Sequence, residues 1–155
     1  MGGDRNPVGA CAVSTLGELV GAELGPTEWR EVSQKRIDEF AEATDDPQWI
    51  HTDPGRAADG PFGTTIAHGF LTLSLCVPML YELLPPSDGM VVNYGVDRVR
   101  FPAPVPSGGR IRGRFRVKSV DTVPQGERAL IEATVECDGV EKPVCVAELV
   151  VLSVS

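Results

Sequence analysis

Long apolar runs, paired metal-ligand cysteines, an excess of basic charge and internal repeats are all missing from this chain, and each absence removes a class of protein. The longest apolar stretch, residues 70–84, is interrupted by Pro78 and Glu82. It falls short of the roughly 20 residues needed to span a bilayer, so no membrane role is expected. The four cysteines, Cys11, Cys76, Cys137 and Cys145, show no C-x-x-C spacing and lie in apolar or strand-like contexts; they read as buried, unreactive thiols. With 14 basic against 22 acidic residues the net charge is −8, which opposes the counterion displacement that nonspecific nucleic-acid binding requires. The N-terminal MGGDRNPVGACAVSTLGELVG has no basic segment followed by an unbroken apolar core. A secretion signal is therefore not expected, and the cytoplasm is the expected compartment.

What remains is a chain of 155 residues, 42% of them hydrophobic, long enough for one domain with a real core. Residues 1–14 are Gly-rich without periodicity and read as a flexible leader, leaving 15–155 as a single domain. A short helix is predicted in TLGELVG and an extended segment in EWREV. Ser33 is a plausible N-cap for a helix over 34–43, with Ile37, Phe40 and Ala41 on one face. A short helical turn follows from Pro54, capped by Asp53, and a long helix runs from about Ala67 to Leu84, where Pro85-Pro86 stops it. That helix is apolar on nearly every face and calls for burial on most sides. Strand patterns occupy 90–104, 108–120, 127–139 and 142–153. One buried helix and long antiparallel strands define an α+β domain.

The alternation R-I-R-G-R-F-R-V-K over 110–118 puts its charges on one strand face. A solvated outer face is the favoured reading, and a site for the phosphates of a carrier is its rival.

Chemistry is concentrated between Thr44 and Ser74, which include both histidines of the chain, His51 and His68. Asp46 and His51 are five residues apart in a stretch that Pro47 and Pro54 keep from being a regular helix, so one ordered loop can bring both side chains to one water. Seventeen residues after His51, His68-Gly69 opens the long helix, where unpaired amides carry partial positive charge and suit a developing oxyanion. His68 reads as a structural histidine beside that helix start. Ser74, one turn into the helix, either reaches the loop or back-bonds to the Phe70 carbonyl. Asn93 and Tyr94 line an entrance or are polar packing at a strand start. Asp46, His51, Asp53 and His68 are ligand-type side chains without an H-x-x-x-H pair or cysteine ligands, and no metal is expected.

Three blocks, Phe40 through Pro54, Phe62 through Phe70, and Asn93-Tyr94-Gly95 with Arg100-Phe101-Pro102-Ala103-Pro104-Val105, together resemble the MaoC-like hydratases. This hotdog-fold family includes R-specific enoyl-CoA hydratases and a NodN-like branch, and the resemblance covers about residues 28–153. It implies a long central helix wrapped by a curled antiparallel sheet, a homodimer whose sheets join, and an acyl-CoA or acyl-carrier-protein thioester as substrate, with no cofactor. It places the catalytic pair on Asp46 and His51, the supporting polar helix residue on Ser74, and the thioester-oxygen donor at Ala67-His68-Gly69, with Gly69 the best single choice. Where the family commonly has Thr-Gly-Asp, this chain has Thr44-Asp45-Asp46, so Asp45 is expected to bear any positive φ that the glycine served.

The activity so implied is R-specific hydration of trans-2-enoyl thioesters. The rivals are conjugate addition of another nucleophile or dehydration on a carrier protein, hydrolysis by a hotdog thioesterase, and acyl-thioester sensing without turnover. Acyl chain length is not readable from the sequence.

Overall fold

Alternation of apolar and polar side chains builds most of this fold. The computed structural model describes residues 15–154; the expected leader lies outside the described residues. Four long antiparallel strands, β3 (Met90–Arg100), β4 (Gly109–Val123), β5 (Gly126–Cys137) and β6 (Cys145–Val154), form the sheet with two short ones, β1 (Glu23–Leu24) and β2 (Arg30–Val32). Its order is β1-β4-β5-β6-β3, with β2 also paired to β4. Among the described residues the sheet is open, and β3 is an edge strand bonded only to β6.

Along β4, Ile111, Phe115 and Val117 point inward and are buried, while the intervening basic residues face out. Four of these outward residues meet acids across the sheet face. Arg110 pairs with Asp138, Arg112 and Arg114 share the Glu136 carboxylate at 2.7 and 2.9 Å, and Lys118 reaches Glu148 at 2.9 Å. The basic stripe is thus a cross-strand ion-pair ladder on the outer sheet face, the favoured of its two readings.

Against the inner face lies the long helix, Gly69–Leu83, fourth after α1 (Gln34–Thr44), α2 (Trp49–Thr52) and α3 (Pro54–Ala58), and designated α4. Cys76, Met79 and Leu80 of α4 have no exposed surface and pack with Ile131 and Leu149 of the sheet. Burying a side chain such as Leu80 contributes about 1.5–3 kcal/mol. Cys76, Cys137 and Cys145 are buried free thiols, as expected, and burial pushes the Cys137 thiol up.

The sequence called for α4 to be buried on most sides, and it is, save one stripe along which Phe70, Ser74, Pro78, Tyr81 and Glu82 are exposed. Phe70 is 69% exposed and Tyr81 40%. The cause is the open sheet, which stops at β3 and leaves Tyr94 and Val96 of that strand exposed beside the uncovered helix face.

The segments before α4 carry most of the candidate site residues. Ser33 caps α1, its Oγ accepting from the Arg36 amide at 3.2 Å. Asp53 caps α3 by accepting from the Arg56 amide at 3.0 Å, with Pro54 in the first turn. TLGELVG forms a 3-10 turn over Leu16–Leu19. The helical turn α2 is an addition to the expected loop: four residues fit between Pro47 and the Pro54 that starts the next helix, too few to leave a periodic signature. Strand β3 ends at Arg100, its eleventh residue, rather than at 104, because Phe101-Pro102-Ala103-Pro104 cannot continue a ladder.

Candidate active site

Helix α1 ends by turning its chain sharply. Asp45 occupies the left-handed region at φ 56°, ψ 36°, a conformation that aspartate tolerates better than most residues. The following amide, Asp46 N–H, then donates back to the Ala41 carbonyl at 3.0 Å. This closure fixes the Asp46 backbone while leaving its carboxylate half exposed, at 54%.

Five residues on, α2 carries His51 inward until it is only 7% exposed. The turn is held from three directions. The His51 carbonyl accepts from Gln34 Nε2 of α1 at 2.7 Å, the Ile66 amide donates to the Ile50 carbonyl at 2.9 Å, and the imidazole Nδ1 lies 2.7 Å from the Ile66 carbonyl oxygen. A carbonyl only accepts, so Nδ1 carries the proton and Nε2 of the neutral ring is left as a lone pair. Burial holds the His51 pKa below the ordinary histidine value; the Ile66 carbonyl opposes this, His68 adds to it, and Asp46 opposes it. The ring is therefore a neutral base at pH 7 with a defined basic nitrogen.

His68 precedes α4 as its N-cap residue. It is 3% exposed, stacked on His51 with ring centroids 3.8 Å apart and planes 23° from parallel, and its other neighbour is Phe40 of α1 at 5.0 Å. Its Nε2 lies 3.0 Å from the Asp46 carbonyl oxygen and 3.9 Å from Asp46 Oδ2. The Ala67 amide beside it is tied to the Val105 carbonyl at 2.8 Å, which anchors the helix start.

Asp46, His51 and His68 thus present one donor atom each, all within 4.8 Å of one another. A water hydrogen-bonded at about 2.8 Å on each side bridges groups up to about 5.6 Å apart, so one water fits between the Asp46 carboxylate and an imidazole nitrogen. A divalent ion suits the cluster less well. The two rings are stacked, so their in-plane lone pairs leave in nearly parallel planes instead of converging on a centre about 2 Å from each.

Gly69 is the first residue of α4, where amides lack intrahelical acceptors. The remaining two predicted residues sit elsewhere. Ser74 is exposed and its Oγ donates to the Phe70 carbonyl at 2.8 Å, the back-bonding arrangement. Ser74 and Asn93 meet in a shallow groove of about 250 Å³ between α4 and β3, walled by Leu73, Val77, Tyr94 and Leu149. His68 is the residue whose contacts sequence reading missed. Its place next to Gly69 was visible, but stacking on His51 is a tertiary contact that no spacing encodes.

The central helix, the antiparallel sheet and an Asp/His cluster at the helix start define a hotdog-fold, MaoC-like protein. Residues 15–139 match the family model described as MaoC like domain, and the chain belongs to that family. It is 46% identical over 143 residues to 3-hydroxyacyl-thioester dehydratase Z of Mycobacterium tuberculosis, covering 90% of this chain and 94% of that one. It is 45% identical over 139 residues to nodulation protein N of Rhizobium leguminosarum bv. viciae, covering 86% and 85%. In fold it is similar to the (R)-hydratase from A. caviae involved in PHA biosynthesis, with a TM-score of 0.70 at 23% identity over 85% of this chain and 94% of that one.

Proposed function

We propose that this chain adds water to trans-2-enoyl thioesters, giving (R)-3-hydroxyacyl thioesters, and catalyses the reverse dehydration. The observation that carries the reading is the defined tautomer of His51, whose Nε2 is left to accept a proton, on a ring that has a nitrogen within 4.8 Å of an Asp46 carboxylate oxygen, one water's span. Asp46 and His51 hold a water over Cβ. One of the pair removes its proton as the hydroxyl bonds to Cβ, the electron pair of the double bond moves toward the thioester carbonyl, and the Gly69 amide donates to the resulting enolate oxygen. A proton from the pair then reaches Cα on the same face, so addition is syn. No metal or cofactor takes part. The names of the relatives, a 3-hydroxyacyl-thioester dehydratase among them, support the same reaction class.

The acyl group is carried on CoA or on a carrier protein, and the enzyme acts as a homodimer. The uncovered face of α4 beside the unpaired edge of β3, with Phe70, Tyr94 and Val96 exposed, supports a second copy there.

The test is loss of absorbance at the enoyl-thioester band with crotonyl-CoA and a longer trans-2-enoyl-CoA. Turnover by wild type that Asp46→Asn and His51→Ala each reduce by about 10²–10⁴-fold, in folded protein, supports hydration. Release of free CoA identifies a thioesterase, and an intact thioester directs attention to carrier-protein substrates and other nucleophiles.

A further inference from the structure

We propose that His68 is a positioning residue for this reaction: its Nε2–H holds the Asp46 peptide while its ring holds the plane of His51, so that one side chain sets the separation of the two proton-transferring groups. The inference rests on the hydration reading above and extends it to a residue outside the catalytic pair.

Three observations carry it. The Nε2 of His68 faces the carbonyl oxygen of Asp46 at 3.0 Å, an acceptor without a proton, so Nε2 is the protonated nitrogen. The other nitrogen, Nδ1, is buried with no hydrogen-bond partner among the described residues, so within them the ring makes its polar contact in one direction, toward the Asp46 peptide. Third, the ring fills the space between Phe40 and His51, stacked on the latter at 3.8 Å. His51 is held at its Nδ1 edge by Ile66, and that single bond leaves it free to swing about the N–O line. The stacked face of His68 removes this freedom.

The two histidines therefore hold opposite tautomers, Nδ1–H for His51 and Nε2–H for His68. His68 contributes no proton to the substrate, because its one polar hydrogen is committed to the main chain. Its contribution is geometric: a displacement of reacting groups by about 1 Å is enough to cost on the order of 10²-fold in rate.

The experiment combines spectroscopy with kinetics. The chain has two histidines, so a long-range ¹H–¹⁵N spectrum of the labelled full chain at neutral pH contains two imidazoles, which His68→Gln and His51→Ala assign. One Nδ1–H ring at His51 and one Nε2–H ring at His68 is expected; an Nδ1–H tautomer at His68 overturns the proposal. His68→Phe keeps the stacked ring and loses the donor, so kcat for enoyl-thioester hydration falls on the order of 10²-fold with KM little changed. His68→Gln restores a donor toward Asp46 and recovers part of that loss. Wild-type kcat in folded His68→Phe, or a His68→Gln variant no better than it, overturns the positioning role while leaving hydration by Asp46 and His51 standing. A wild type without turnover on any enoyl thioester instead removes the hydration reading, and the positioning role with it.

Discussion

The Phe101 ring lies so close over the α-carbon of Gly69 that a β-carbon there would sit 2.7 Å from its nearest ring atom. Glycine at the first position of α4 is thus required by packing, independently of any oxyanion. Gly69→Ala is expected to push the ring or the helix start aside, lowering stability by about 1–3 kcal/mol as overpacking does and reducing hydration more than tenfold in consequence. Thermal melts and turnover measured together check this. Adding Phe101→Ala relieves the clash and recovers stability; failure to do so places the cost elsewhere.

Protonation of His51 removes the proposed base. Because burial chiefly holds its pKa below the ordinary histidine value, the acidic limb of kcat/KM is expected below the usual histidine range near 6.5. Stability shares the sign. The unfolded chain takes up a proton on this histidine first as pH falls, so the folded state loses stability from about pH 6.5 downward until His51 itself protonates. A pH–rate profile and urea midpoints between pH 5 and 8 check both limbs.

Asp45 carries the left-handed turn that releases Asp46 from α1. Glycine adopts this conformation without a Cβ penalty but loses more chain entropy on folding. Asp45→Gly is therefore expected to shift stability by less than about 1 kcal/mol, and to leave water addition within about threefold of wild type, since the Asp46 amide still reaches Ala41. A larger fall in turnover, checked with crotonyl-CoA, gives the Asp45 carboxylate a direct part in the reaction.

Exposed Tyr94 and Val96 on the edge strand test the proposed association. Introducing charge there, as in Tyr94→Glu with Val96→Lys, is expected to convert a dimer to monomer at micromolar concentration in sedimentation velocity. An unchanged sedimentation coefficient moves the contact to another face.

The strands of this fold were legible because burial imposes a period of two: β4 through β6 fall within three residues of their expected limits. Cap chemistry fixed the starts of α1 and α3, where Ser33 and Asp53 accept the expected amides. Comparison with a glycine raised a positive φ at Asp45 as a condition, and the structure meets it. Most of the rest was hidden for a common reason, that it depends on which segments meet. The exposed stripe of α4 is set by where the sheet ends, and the stack of His68 on His51 by separate segments converging; the turn α2 was missed for a different reason, its four residues being too few to leave a periodic signature. Ser74 had two acceptable partners in sequence terms, and the nearer one, the Phe70 carbonyl, holds it.

The partner that fixes the protonated edge of His51 is the main-chain oxygen of Ile66, not a side chain. Substitution at position 66 changes what fills the space but leaves that oxygen in place. Side chains around the proposed base are thereby free to vary without resetting which of its nitrogens carries the proton. A point mutation that reshapes the surroundings of His51 therefore leaves its tautomer in place as long as the chain path at Ile66 is kept.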